Sequence, residues 1–261
     1  MRISGTKHWW FMIGAVILMT SAAGCSSSAK PQPSRRAPLK IDFWVDQSDS
    51  VCAEQRVSWE ESARKILGKL GPDDVVEIFE ISDVTAGAAP LFREQMPHLS
   101  DKPLMSERIA YLKKLAEFAK RLEKAIKEAF AGAGNRQIRS TDIFSVFSRF
   151  EADDTREGRL FVFTDGLHVD AKNTGKRINM ETMDFAAVDV RTFIKDLFGR
   201  YRWSNRTLER TNVLIVLPDA KKCPAANRSN IVDLQRTYAA LIQSLGGNLH
   251  RFETFLTGGE L

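Results

Sequence analysis

Residues 41–50 have the sequence IDFWVDQSDS, an apolar run that ends in a carboxylate, and this stretch decides the fold. A short apolar-rich run bounded by polar residues is typical of a buried strand. Residues 160–163 (LFVF) form a similar run, which ends at Thr164-Asp165-Gly166. Two buried runs that both finish in polar residues favour a parallel sheet with a ligand-binding crevice beyond the carboxyl ends of its strands.

Outward from these runs, strand patterns alternate with helical ones along the chain. Further strands are predicted over 75–81, 87–98, 213–217 and 249–256, and helices over 58–70, 106–131, 141–150, 188–201 and 230–245. Such alternation predicts an α/β fold, with a doubly wound, mostly parallel central sheet, helices on both faces and one antiparallel edge strand. In the longest helix, an apolar stripe that starts at Ile109 and Leu112 is expected to face the core.

The N-terminal segment has the features of an export signal. Residues 1–24 combine a basic start with an apolar run too short to span a bilayer, which needs about 20 residues. They end in Ala22-Ala23-Gly24, directly before Cys25. This junction resembles a bacterial lipoprotein signal, and the resemblance implies cleavage there and acylation of Cys25. Ser26 follows, and by resemblance to lipoprotein sorting it implies an outer-membrane protein of the cell envelope that faces the periplasm.

The remaining chain divides into a tether and one domain. Residues 25–39 are rich in Ser and Pro and predict an extended tether, and residues 40–261 predict a single domain. The net charge of +5, from 38 basic and 33 acidic side chains, is too small and scattered to indicate a nucleic-acid partner. In an oxidising compartment Cys52 and Cys223 form an even pair, so a disulfide between them is expected, the alternative being two separate buried thiols.

Oxygen-bearing side chains are expected at the ligand-binding edge, where most follow two of the predicted strands and Thr141 lies at a predicted helix start. Two carboxylates and three hydroxyls form an all-oxygen donor set: Asp46, Ser48, Ser50, Thr141 and Asp165. Oxygen donors suit Mg²⁺, Mn²⁺ or Ca²⁺ and disfavour zinc, which prefers His and Cys. Because hydroxyl ligands are neutral, they leave the charge of the ion incompletely balanced. A bound ion could therefore accept a carboxylate from a partner.

The pattern Asp46-x-Ser48-x-Ser50, then Thr141, then Asp165-Gly166 resembles the metal-ion-dependent adhesion site of von Willebrand factor type A domains. The resemblance covers about residues 40–256. It implies that the two serines and the threonine bind the ion directly, and that the aspartates act directly or through water. An acidic residue of a partner protein would then complete the coordination. The chain departs from the family at Asp49, where glycine is usual.

These features favour a membrane-anchored envelope lipoprotein that binds a protein partner through a divalent ion and is not an enzyme. Two alternatives stay open: a Mg²⁺-dependent hydrolase on a similar sheet, and a metal-free structural lipoprotein. No phosphate-binding loop or nucleophile elbow is present in the sequence. His168, close after Asp165-Gly166, is expected to be an exposed loop residue rather than a ligand.

Overall fold

A computed structural model of the protein describes residues 36–83, 85–132, 138, 140–170, 178–219, 221, 223, 231–254 and 256. Apart from Arg36, all of these belong to one compact unit, Ala37–Leu261. The predicted signal peptide, Cys25 and nearly all of the tether lie outside the described residues. Within the described part of the chain, no helix is both long and apolar enough to cross a membrane.

The sheet has six strands in the order β3-β2-β1-β4-β5-β6. Their bounds are β1 Leu39–Asp46, β2 Val75–Ile81, β3 Phe92–Gln95, β4 Glu157–Phe163, β5 Thr211–Val216 and β6 Asn248–Glu253. Every neighbouring pair is parallel except β2 and β3, so β3 is the antiparallel edge strand. The predicted doubly wound α/β fold is confirmed.

Five α-helices cover the sheet in the described part of the chain. They are α1 Ala53–Leu67, α2 Met105–Phe130, α3 Phe144–Arg149, α4 Val190–Tyr201 and α5 Ile231–Ser244. One core lies between the sheet and α1 and α2, around Phe43, Trp59 and Phe163. The other lies on the opposite sheet face, against α3, α4 and α5, and includes Trp44 and Tyr238. Helices on both faces explain why the central strands are apolar on both sides.

Two predicted helix starts are wrong. The helix predicted from residue 58 already begins at Ala53, with Cys52 as the residue before its first turn. The helix expected from residue 141 begins only at Phe144, because the backbone of Thr141 pairs with Val169 instead. Both helices therefore start directly beside loops at the carboxyl edge of the sheet, defined as the edge where β1, β2, β4 and β5 end.

The apolar stripe of α2 is buried only in its second half. Phe118, Leu122 and Ile126 belong to the core. Ile109 is 62% exposed and Leu112 is 47% exposed, so the expectation that they face the core is wrong. The first half of the helix has the same periodicity, but only Tyr111 is buried there and only Leu115 packs on the core.

Candidate metal centre

Asp46 is the last residue of β1, and its carboxylate is held from two directions. The parallel register pairs Val45 with Phe163, which places Asp46 level with Thr164 at the end of β4. The Thr164 hydroxyl donates to Oδ2 of Asp46 over 2.7 Å, and the amide of Ser48 donates to Oδ1 over 2.7 Å. Asp46 is fully buried. Its orientation is therefore fixed by the two adjacent strands and by the first turn of the loop.

The loop after β1 brings the two serine hydroxyls together. Oγ of Ser48 and Oγ of Ser50 lie 2.8 Å apart. Ser48 is buried, whereas the intervening Asp49 is exposed and donates its backbone N–H to the oxygen of Ile138 over 3.2 Å. The residue that departs from the family pattern thus points its side chain to solvent, and the loop keeps two adjacent oxygen donors.

Arg56, in the first turns of α1, was not predicted as part of this site. Its Nη1 donates to the backbone oxygen of Asp46 over 2.6 Å, and Nη2 donates to that of Ser48 over 2.9 Å. The side chain is buried, and burial lowers the pKa of its guanidinium, opposed by the negative charges of Asp46 and Asp49. A lone arginine in a helical pattern gives no signal in the sequence, since most arginines lie on solvated faces.

Asp165 follows β4 and is buried next to a strained turn. Its Oδ1 accepts the N–H of Leu167 over 3.0 Å. Gly166 has a φ of +81°, a backbone conformation that side chains with a Cβ rarely adopt. The carbonyl of Gly166 accepts the buried hydroxyl of Tyr238 over 3.0 Å. The turn that carries Asp165 is therefore anchored to α5.

Thr141 reaches the same edge through backbone pairing. Its N–H and C=O both bond to Val169, each over 3.0 Å, and the next amide, that of Asp142, donates to the oxygen of Ser82 over 3.0 Å. Thr141 is buried. These contacts connect the loop that carries Thr141 to the segment after β4 and to the end of β2. All five predicted ligands thus lie on three loops at the carboxyl edge, and four of them, all but Ser50, are buried.

The two aspartates repel each other in a dry environment. Burial, together with the negative charge of Asp165, raises the pKa of Asp46 to about 6, against the hydrogen bonds from Ser48 and Thr164. A cation placed between these loops would offset both effects. Among the described residues no group of three or more His, Cys, Asp or Glu could hold a metal ion. The donor set is instead two carboxylates and three hydroxyls, which fits a hard divalent ion.

His168 lies next to this site and is not the exposed residue that was expected. It is fully buried, stacks on Phe144 at 4.3 Å between ring centroids, and its Nε2 lies 2.8 Å from Oδ1 of Asp170. Asp170 also pairs with Arg200 over 2.7 Å. Burial lowers the pKa of His168. The turn after Asp165 folds inward because Val169 pairs with Thr141, which carries the neighbouring histidine into the core.

Cys52 and Cys223 are adjacent but are not joined by a disulfide. The N–H of Cys52 donates to Sγ of Cys223 over 3.2 Å, and that sulfur lies 3.7 Å from the oxygen of Ser50. Burial raises the pKa of the Cys223 thiol. The expected disulfide is therefore absent from this structure, in which the sulfur of Cys223 contacts the backbone of Ser50 and Cys52. A disulfide under oxidising conditions stays a prediction.

Comparison with known proteins gives no family for this chain. No family model matches it, and no curated protein matches it. Among solved structures, it is similar to proximal thread matrix protein 1 from the mussel byssus, with a TM-score of 0.33 and 10% identity. That alignment covers 80% of this chain and 48% of the other, so the chain spans about half the length of that protein. A likeness this weak carries no argument about function.

Proposed function

We propose that the protein is an envelope lipoprotein whose type A-like domain binds a protein partner through a divalent metal ion. The observation that carries this proposal is the carboxylate of Asp46, which is buried beside Asp165 and oriented by the Ser48 amide and the Thr164 hydroxyl. Two negative charges buried beside each other destabilise the fold unless a cation binds between them or one carboxylate takes up a proton.

In this proposal the hydroxyls of Ser48, Ser50 and Thr141 hold the ion, and Asp46 and Asp165 supply the negative charge. The ion would act as a bridge, since neutral hydroxyl ligands leave it able to attract a carboxylate of the partner. The chain's own residues orient the donors: Arg56 and Tyr238 fix the backbone of the loops from the helix side. The role is one of adhesion or assembly, without catalysis.

A metal-free structural lipoprotein is the second candidate, and Arg56 is the observation that favours it. Its guanidinium already lies at the backbone oxygens of Asp46 and Ser48 and brings a positive charge to the carboxyl edge. In that case the five oxygen-bearing residues would only cap loops and helix starts, and divalent ions would leave the domain unchanged.

Thermal melting with and without divalent ions separates the two candidates. Millimolar Mg²⁺ or Mn²⁺ should raise the melting temperature of the wild type, because an ion that binds only the folded state stabilises it. Asp165→Asn should abolish the shift, whereas Glu209→Gln, an exposed carboxylate at the start of β5, should keep it. Capture of envelope proteins with and without a chelator then tests the bridging role. A wild type that melts identically in both conditions would refute the metal proposal.

A further inference from the structure

The first turns of α2 carry an exposed apolar face. Among the large hydrophobic side chains that are exposed in the described part of the chain, half lie within residues 104–112: Leu104 69%, Met105 72%, Ile109 62% and Leu112 47%. Positions 105, 109 and 112 fall on one side of a helix. Of residues 104–114, only Tyr111 is buried, and Leu115 is the next side chain that packs on the core. We call residues 104–114 the overhang.

The overhang is exposed because α2 is longer than the sheet it covers. Its 26 residues extend about 39 Å, whereas the eight residues of β1 extend about 26 Å. The carboxyl end of α2 is at the candidate metal centre, where Gln47 donates to the oxygen of Ala129 over 2.8 Å. Arg121 pairs with Glu94, which is level with Val76 near the start of β2. Phe118 still packs on Phe92 of β3, and Leu115 contacts the same core, so only the turns before Leu115 extend past the opposite, amino edge of the sheet.

The amino edge is also where the predicted tether joins the domain. Leu39 is the first residue of β1, so the chain that follows Cys25 enters at this edge. Leu39 is fourteen positions after Cys25, so the chain between them can span at most about 50 Å. A lipid anchor on Cys25 would therefore keep the amino edge close to a bilayer. The overhang lies at the end of the domain that is nearest to that attachment point.

The charge of the overhang suits an anionic surface. Arg108 and Lys113 are exposed on either side of the apolar face, whereas Lys114 lies on the opposite side of the helix and the acidic Glu117 lies beyond the overhang. Glu107 is engaged locally, since its side chain accepts the N–H of Leu104 over 2.8 Å. Basic side chains beside an apolar helical face favour binding at the boundary between lipid headgroups and acyl chains. A second copy of the chain would bring the same positive charges together, which opposes self-association through this face.

We propose that the overhang is a membrane-docking surface that takes anionic phospholipid. Met105, Ile109 and Leu112 enter the headgroup boundary, and the neighbouring basic side chains meet lipid phosphates. Docking lays the apolar side of the first turns of α2 along the bilayer surface and holds the domain beside the membrane. The inference rests on the proposed function for the lipid anchor that brings the overhang to the membrane, and it is independent of the metal.

Vesicle binding by the soluble domain tests this proposal. Residues 37–261 contain both hydrophobic cores and form one compact unit, so they are suited to study without the anchor. In EDTA, they should sediment with phosphatidylethanolamine–phosphatidylglycerol vesicles and much less with phosphatidylcholine vesicles. The triple variant M105S/I109S/L112S should bind at least about tenfold more weakly. The matched control V57S/V232S, which replaces exposed apolar side chains elsewhere, should bind like the wild type.

Each other result overturns the proposal. The proposal fails if the wild type binds no vesicles, or if the triple variant binds as well as the control. A wild-type dimer in solution that the triple variant converts to monomer would assign the face to a second copy instead. Circular dichroism checks that the variants are folded, which is expected because the changed side chains are exposed. Neither the metal centre nor acylation enters these measurements, so failure here leaves the proposed function to its own tests.

Discussion

The guanidinium of Arg56 donates to the backbone oxygen of Asp46 over 2.6 Å and thereby joins the first turns of α1 to the end of β1. The same side chain binds the oxygen of Ser48. The backbone carbonyls of Asp46 and Ser48, which turn inward at the end of β1, therefore bind the Arg56 guanidinium instead of water. The position of the serine loop depends on this residue, which supplies no oxygen to the candidate metal centre.

Arg56→Met should destabilise the domain because it leaves two buried carbonyl oxygens without their donor. We expect a loss of about 3 kcal/mol in the free energy of unfolding, measured by urea denaturation. Arg121→Met is the matched control, since Arg121 is half exposed and pairs with Glu94 on the surface, and it should leave the stability nearly unchanged. Equal losses in the two variants would contradict the structural role of Arg56.

Asp42 should make stability depend on pH. It is fully buried in β1, neither carboxylate oxygen has a hydrogen-bond partner among the described residues, and burial raises its pKa from 3.8 to about 8, against Lys40. The folded protein keeps a proton that the unfolded chain loses near pH 4. The stabilisation that the protonated Asp42 gives to the folded state is therefore fully present below pH 4 and is lost as the pH rises to about 8.

Asp42→Asn cannot titrate and should remove this dependence. The buried amide lowers the free energy of unfolding by the same amount at every pH. The two proteins are therefore compared by how steeply this free energy changes with pH. Urea unfolding at pH 5 and pH 9 should show a smaller loss of stability for Asp42→Asn than for the wild type, by a few kcal/mol. Glu209→Gln, at an exposed carboxylate, should follow the wild type. Parallel pH profiles for Asp42→Asn and the wild type would show that the aspartate is not protonated in the fold.

Gly166→Ala tests the strained turn after Asp165. At φ +81° the added Cβ would also lie 3.2 Å from a methyl carbon of Leu234, so we expect a loss of about 1–2 kcal/mol. Gly199→Ala, in the exposed part of α4 with open space around it, should instead raise stability by up to about 1 kcal/mol. Urea denaturation of both variants measures the contrast, and a neutral Gly166→Ala would argue against the left-handed conformation.

The fold was predictable because its strands are strongly patterned. The run before Asp46 and the run before Thr164 are apolar on both faces, which indicates central parallel strands, and both became neighbours in the sheet. The antiparallel edge at β3 was also expected from the weak run between prolines. Periodicity gave the type of each element, but it could not reveal that α2 is longer than the sheet. For that reason Ile109 and Leu112 were assigned to the core.

The candidate site was predictable only in its oxygen-bearing residues. Positions after buried strands, and for Thr141 a predicted helix start, indicated one edge, and the pattern Asp46-x-Ser48-x-Ser50, then Thr141, then Asp165-Gly166 supplied the resemblance. Arg56 and the burial of His168 were missed because both depend on long-range backbone contacts: Arg56 binds carbonyls of the preceding loop, and His168 is carried inward by the pairing of Val169 with Thr141. Local sequence patterns do not encode such contacts.

The cysteine pair should close under oxidising conditions. Cys52 and Cys223 are 171 positions apart in sequence and already in contact, so oxidised glutathione should join them, with the loss of both thiols in a thiol assay. A disulfide that closes so long a loop should add about 2–4 kcal/mol to the free energy of unfolding. Cys52→Ser should show no such oxidant-dependent gain. Persistence of both thiols after oxidation would exclude the bond.

The most direct test of the metal site is a titration of the soluble domain with Mn²⁺, followed by the electron paramagnetic resonance signal of the free ion. The proposed site predicts that wild-type protein removes one Mn²⁺ per chain from solution, that Mg²⁺ competes for the same site, and that S48A/S50A restores the free-ion signal. Arg121→Met, which alters no oxygen donor, should bind like the wild type. A wild type that leaves the Mn²⁺ signal unchanged, or a double variant that binds Mn²⁺ equally well, would contradict a divalent ion at these loops.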